Sequence, residues 1–247
     1  MTRRHVIWIV SSAVVLLIAF VVLVVAYVPR ALRSFFYPPA PLMPAIVSKT
    51  VPEILTELEL VMKTNAPKVL EQMQPGLSDA EIARLEQQAN LKLPDDIKAL
   101  YRWHDGCRTL DPMLTGPVPG HRFVPLAQAL GEFGVVSNQV AGGTSAQRAA
   151  YNIFAGHRKS WIQLFDDGAG DGYYFDPKRK PSEGAIFYCF AEDNTYLFFP
   201  SVANLLEGTL ECYKQNAFVW DDAPSEAGLE EDFEKSDKIW SRFGARN

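Results

Sequence analysis

The sequence predicts an α+β fold in which N-terminal helices pack on an antiparallel sheet, all carried behind a single N-terminal transmembrane helix. Three observations predict it. An uninterrupted apolar stretch fills residues 6–28. Apolar residues then recur at helical spacing from Val51 to His104. Between residues 160 and 199, four short runs rich in aromatic and β-branched residues alternate with turn residues, as strands with short connections do.

The apolar stretch, VIWIVSSAVVLLIAFVVLVVAYV, carries no charge. As a helix it spans about 34 Å, against a hydrocarbon core of about 30 Å. It is longer than the apolar region of a cleaved signal peptide and ends at Ala26-Tyr27-Val28-Pro29 rather than in a run of small residues, so it reads as an uncleaved anchor. Trp8 and Tyr27 stand near its ends, with Phe35, Phe36 and Tyr37 beyond, where aromatic rings favour the headgroup zone. Arg3 and Arg4 with the α-amino group face Arg30 and Arg33, a balance that leans to a cytoplasmic N-terminus. The expected site is a bacterial inner membrane, crossed once. The expected organisation is an anchor over 1–28, a Pro-rich linker over 29–48, a soluble α+β domain over 49–220 and a charged C-terminal tail over 221–247. Pro38, Pro39, Pro41 and Pro44 make the linker a semi-rigid spacer.

The chain holds 24 Lys and Arg against 29 Asp and Glu. Four of those arginines flank the anchor and no acid precedes Glu53, so the chain beyond Arg33 carries 20 cations against 29 acids. That sign excludes a nucleic-acid partner, whose phosphates require a basic surface. It suits a basic protein. Cys107, Cys189 and Cys212 are far apart and show no metal-ligand spacing, so neither a disulfide framework nor a metal or other cofactor is expected.

Along the domain, Val51, Ile54, Leu55, Leu58, Val61 and Met62 mark an amphipathic helix with Pro52 in its first turn. A shorter apolar set, Val69, Leu70 and Met73, is closed by Pro75-Gly76. Ser78 and Glu81 form an S-x-x-E capping box ahead of Ile82, Leu85 and Ala89. Leu93-Pro94 opens another helix with Ile97, Leu100, Tyr101 and His104, closed by Asp105-Gly106. HRFVPL predicts an edge strand, because Pro125 cannot donate to a ladder. Residues 126–140 suit a helix weakened by Gly131 and Gly134, and AGGTSAQ reads as an exposed loop. SWIQLF, GYYFD, GAIFYCF and NTYLFF predict an antiparallel meander. Ser201 caps a last helix with Val202, Leu205, Leu206, Leu210 and Tyr213. Phe233, Ile239, Trp240 and Phe243 suit a peripheral helix in the tail.

LSDAEIARLEQQANLKLPDDIKALYRWHDG resembles the opening segment of the SUKH superfamily, which includes yeast cell-wall-assembly regulators and many bacterial toxin-immunity proteins. The family pattern of a capped helix with a Glu, then Leu-Pro, a short helix and Asn-Gly or Asp-Gly is met by Glu86, Leu93-Pro94, Leu100 and Asp105-Gly106. Phe123 with Pro125-Leu126, a strand-borne Trp161, Gly170-Asp171-Gly172 leading to Asp176, and the Ser201 helix extend the likeness over residues 76–215. Ile97 stands where the family often has an aromatic, and the transmembrane anchor is an addition to the usual soluble domain. The resemblance implies helices packed on an antiparallel sheet and protein binding without catalytic residues, either neutralising a toxin, a basic one by the charge balance above, or serving as a tethered scaffold for envelope assembly.

Reactive alternatives are weaker on their own terms. FDDGAGDGYYFD is rich in carboxylates, but an EF-hand register from Asp167 puts Ala169 at position three and Lys178 at position twelve, so calcium ligation fails. His104, Asp105 and Cys107 adjoin in sequence, yet a nucleophile and base need mutual hydrogen-bond geometry, and a helix dipole with an Asp-Gly stop explains the same residues. The expected partner contacts are Trp103, Asp105 and the loop residue Asp167. Leu93, Pro94 and Trp161 are expected to be structural, with Leu93 and Trp161 filling the seam between helices and sheet.

Overall fold

A computed structural model describes residues 47–108, 116–131, 161–169, 171–177, 185–189, 195–222 and 227–244. The chain divides into two compact units, Met1–Met43 and Pro44–Asn247, and every described residue lies in the second. The expected membrane crossing over 6–28 and the loop AGGTSAQ lie outside the described residues. Among those residues, no helix is long and apolar enough to cross a membrane.

Thr50 opens α1 (Val51–Asn65) by donating both its N–H and its hydroxyl to Glu53 Oε2, each at 2.7 Å. Pro52 sits in the first turn, where its missing N–H costs nothing. Ile54, Leu55, Leu58 and Met62 form the buried stripe. A short α2 (Pro67–Gln72) leads into β1 (Met73–Pro75). The Ser78 box is built as predicted: Glu81 N–H donates to Ser78 Oγ, and the Ser78 N–H donates back to Glu81 Oε2 at 2.8 Å. It starts α3 (Asp79–Ala89), which ends on Asn90 in the left-handed region. After Leu93-Pro94, α4 (Asp95–Trp103) buries Ile97, Leu100 and Tyr101.

The helix stops one residue before His104. Residues His104–Cys107 form β2, antiparallel to β1. Gly106 makes this possible, because its φ is +73° and a Cβ there would stand 2.4 Å from Pro125 N.

The main sheet has five strands in the order β3 (Arg122–Phe123), β4 (Ile162–Asp166), β5 (Gly172–Phe175), β6 (Ile186–Cys189), β7 (Thr195–Phe199), all antiparallel. This is the predicted meander with HRFVPL on its edge. Residues 126–131 are helical. Next comes α5 (Val202–Lys214), capped by Ser201 Oγ accepting the Asn204 N–H at 3.2 Å. It lies along α1. The register sets Ile162, Phe175, Ile186 and Phe199 side by side, fully buried in one core with the helices.

Two expectations are corrected. Leu93 enters that core at 3 % exposure, but Trp161 does not fill the same seam. It stacks on Phe187 at 4.3 Å between centroids, in a second cluster with Ala185 and Cys189. The reason is the two-residue period of a strand: Ile162 faces the helices, so its neighbour faces away. The boundary expected at 220 falls inside β8 (Phe218–Asp221), which pairs with β9 (Gly228–Glu231) ahead of α6 (Phe233–Arg242). Leu229, Ile239 and Trp240 join the main core, with Trp240 edge-on to Tyr173, Phe198, Phe199 and Phe218. At the other end Val47, inside the expected linker, packs against the core.

Candidate functional site

The end of α4 and the start of β2 bring together residues that the sequence separates. Glu59 projects from α1, one turn before Lys63. Trp103 Nε1 donates to Glu59 Oε2 at 2.9 Å, and His104 Nε2 lies 3.2 Å from the same oxygen. His104 Nδ1 faces the Gln74 carbonyl at 2.7 Å, so both ring nitrogens meet acceptors. Lys63 closes the group at 3.2 Å from Glu59 Oε1. Burial pushes the Glu59 carboxyl up, but the His104, Lys63 and Trp103 contacts outweigh it and hold it below the usual range. The half-buried Trp103 is therefore tied into the fold at its ring nitrogen.

Asp105 is half-buried and its carboxylate works inside the fold: Oδ1 accepts the Leu126 N–H at 2.8 Å, and its carbonyl accepts Gln74 Nε2 at 2.9 Å. Burial raises its carboxyl, opposed by the Leu126 bond. Cys107 is buried and engaged by the backbone at Phe123, and burial pushes its thiol up to about 11. The adjacency of His104 and Cys107 in sequence thus does not become a nucleophile and base, since the imidazole is turned to Glu59 and Gln74.

The third predicted contact, Asp167, organises its own loop. Its Oδ1 accepts the N–H of Ala169 at 2.8 Å and of Asp171 at 2.9 Å, while Asp166 Oδ1 accepts the Gly168 N–H at 2.7 Å. Asp166 Oδ2 meets Nε and Nη2 of Arg122, its cross-strand partner, at 2.9 and 2.5 Å. Below this loop, His121 Nδ1 faces the Pro119 carbonyl at 2.9 Å and Nε2 faces the Tyr188 hydroxyl at 3.1 Å. Burial lowers His121 against the pull of Pro119 and the nearby aspartates. A neutral ring protonated at Nδ1 satisfies both contacts. Among the described residues, no group of three or more His, Cys, Asp or Glu is placed to hold a metal ion.

The structural residues carry their own chemistry. Leu93 donates its N–H to Glu86 Oε1 at 2.7 Å, and Lys92 and Lys98 approach the same carboxylate at 3.0 and 3.4 Å. Pro94 then serves as the N-cap of α4. Sequence reasoning missed Glu59 and the Arg122–Asp166 pair, because each depends on partners about forty residues away. No local signal marks them.

Trp103, Asp105 and Asp167 thus fall on two parts of the fold. The first two adjoin at the α4–β2 junction, and the third stabilises the β4–β5 turn. Residues 76–208, more than half of the chain, match the model of the SMI1 / KNR4 family (SUKH-1). No curated protein matches the chain.

Proposed function

The chain belongs to the SMI1/KNR4 family (SUKH-1), and from that premise we propose that it is a non-enzymatic protein-binding module held at a membrane by residues 6–28, of the toxin-immunity type. The family match carries the reading. Three further observations support it. The His104, Asp105 and Cys107 side chains are spent on internal contacts rather than arranged for attack. The chain after Arg33 has 20 cations against 29 acids, which suits a basic toxin. The apolar run of 6–28 is long enough to span a bilayer.

An immunity protein acts by occupying its toxin. Co-expression with toxins encoded beside it restores growth under this reading, and protection survives His104→Ala. If none of the neighbouring effectors is bound, and a deletion strain shows altered envelope shape with unchanged toxin sensitivity, the module is instead a tethered scaffold for envelope assembly. The proposed orientation has a cytoplasmic N-terminus and the domain on the far side, so alkaline phosphatase fused after Asn247 is active. A fusion active only with a cytoplasmic reporter reverses it.

A further inference from the structure

Among the described residues only three large apolar side chains stand exposed, and two of them, Val219 at 45 % and Phe233 at 70 %, belong to the C-terminal hairpin and the start of α6. The hairpin strands pair with each other and with no other described strand. The Asp232 N–H to Ala217 carbonyl bond, 2.8 Å, continues their ladder, in which Val219 opposes Glu230. Phe218 and Leu229 turn inward and are buried. Alternation therefore turns Val219, Asp221, Glu230 and Asp232 to the other face. Directly opposed Cβ atoms in such a ladder are about 5 Å apart and diagonal ones about 7–8 Å. Val219 is thus an apolar centre beside three carboxylates, of which Asp232 caps the following helix and is bridged by Lys235 at 2.9 Å while Glu230 stands directly opposite and exposed, with Phe233 adjoining Asp232. From Phe218 to Glu234 the chain has seven acidic residues and no Lys or Arg.

An exposed valine and phenylalanine rimmed by acids fit one class of occupant. The aliphatic stems of Lys and Arg cover apolar side chains while their heads reach carboxylates. The same acids repel an anionic lipid surface. They also disfavour a second copy of this face, which would bring like charges together. The hairpin lies beyond residues 76–208, so the family likeness does not account for it.

We propose that the outer face of the β8–β9 hairpin, together with Phe233, docks a Lys- and Arg-rich segment of a protein partner. This deepens the protein-binding reading and rests on it.

The test places photoreactive benzoylphenylalanine at Val219 or Phe233 in the full-length chain in its own cells, with Leu60 and Trp103 as control positions. After irradiation, mass spectrometry sequences the attached segment. Positions 219 and 233 should attach to one protein through a segment with an excess of Lys and Arg. Glu230→Lys, at a solvent-exposed position, should cut that yield at least about tenfold, the effect of a like charge at a docking face, without moving the melting temperature. Adducts only from Leu60 or Trp103 overturn this surface while leaving the protein-binding reading intact. Attachment of 219 and 233 to lipid or to a second copy of the chain, or a yield unmoved by Glu230→Lys, also overturns it. Absence of adducts from all four positions overturns both.

Discussion

Glu86→Ala tests the junction between α3 and α4. The carboxylate is 3 % exposed and accepts the N–H of Leu93, itself 3 % exposed, at 2.7 Å. Removing it strands a buried donor, which costs about 1–3 kcal/mol, and loses a charge-assisted bond in the same step. The Lys92 contact adds little, because that lysine is largely exposed, and exposed pairs contribute about 0–1 kcal/mol. Lys98 is more enclosed. The expected total is about 3 kcal/mol, or about 6–12 °C in melting temperature for a domain of this size. Glu86→Gln keeps an oxygen acceptor and costs less. Burial pushes this carboxyl up, but the Leu93 bond and the two lysines prevail, so it lies below the ordinary glutamate range. Its stabilisation is therefore full above the ordinary glutamate value and fades as pH falls through the lowered one. Thermal melts of the detergent-solubilised full-length chain at neutral and acidic pH read both effects. A melt of Glu86→Ala within about 1 °C of the parent at neutral pH would refute the reasoning, given the 2–4 °C expected per kcal/mol.

Trp161→Ala removes the stack on Phe187 and opens a cavity on the far face of the sheet, costing about 3–5 kcal/mol, while Leu93→Ala costs about 2–5 kcal/mol from the main core. Because the two sit in separate clusters, the double mutant should be additive within about 0.5 kcal/mol, as urea titration measures. Gly106→Ala forces a Cβ against Pro125 and should lower the melting temperature more than Gly120→Ala, where φ is also positive but a Cβ meets nothing within 4 Å among the described residues. Glu207 is buried, its Oε2 has no hydrogen-bond partner among the described residues, and burial raises its carboxyl. The protonated form is favoured by folding, so its contribution is present below the ordinary glutamate value and lost as pH rises through the raised one. Glu207→Gln should therefore stabilise the protein at neutral pH and lose that advantage in acid, read by melts across the range.

The legible parts were those where cause and residue are neighbours. Ser78 with Glu81 and Ser201 before Val202 announced helix starts, and the aromatic runs announced four strands in their chain order. Trp161's side of the sheet was also readable, since strand alternation opposes it to Ile162, but only once the inward face was known. The C-terminal segment hid behind its charge: acids dominate 221–234, while Leu229, Ile239 and Trp240, spaced through two kinds of element, reach the core. The candidate contacts were the least legible. Trp103 and Asp105 are held by Glu59 and Leu126, and nothing in the local sequence says so.

Isolation of the full-length chain from cross-linked membranes, with mass spectrometry of the proteins that travel with it, tests the central claim most directly. A binding module predicts a protein partner near equal stoichiometry, retained when His104 and Cys107 are replaced by alanine. A chain recovered alone, from membranes whose hydrolase activity disappears with those two residues, would contradict it.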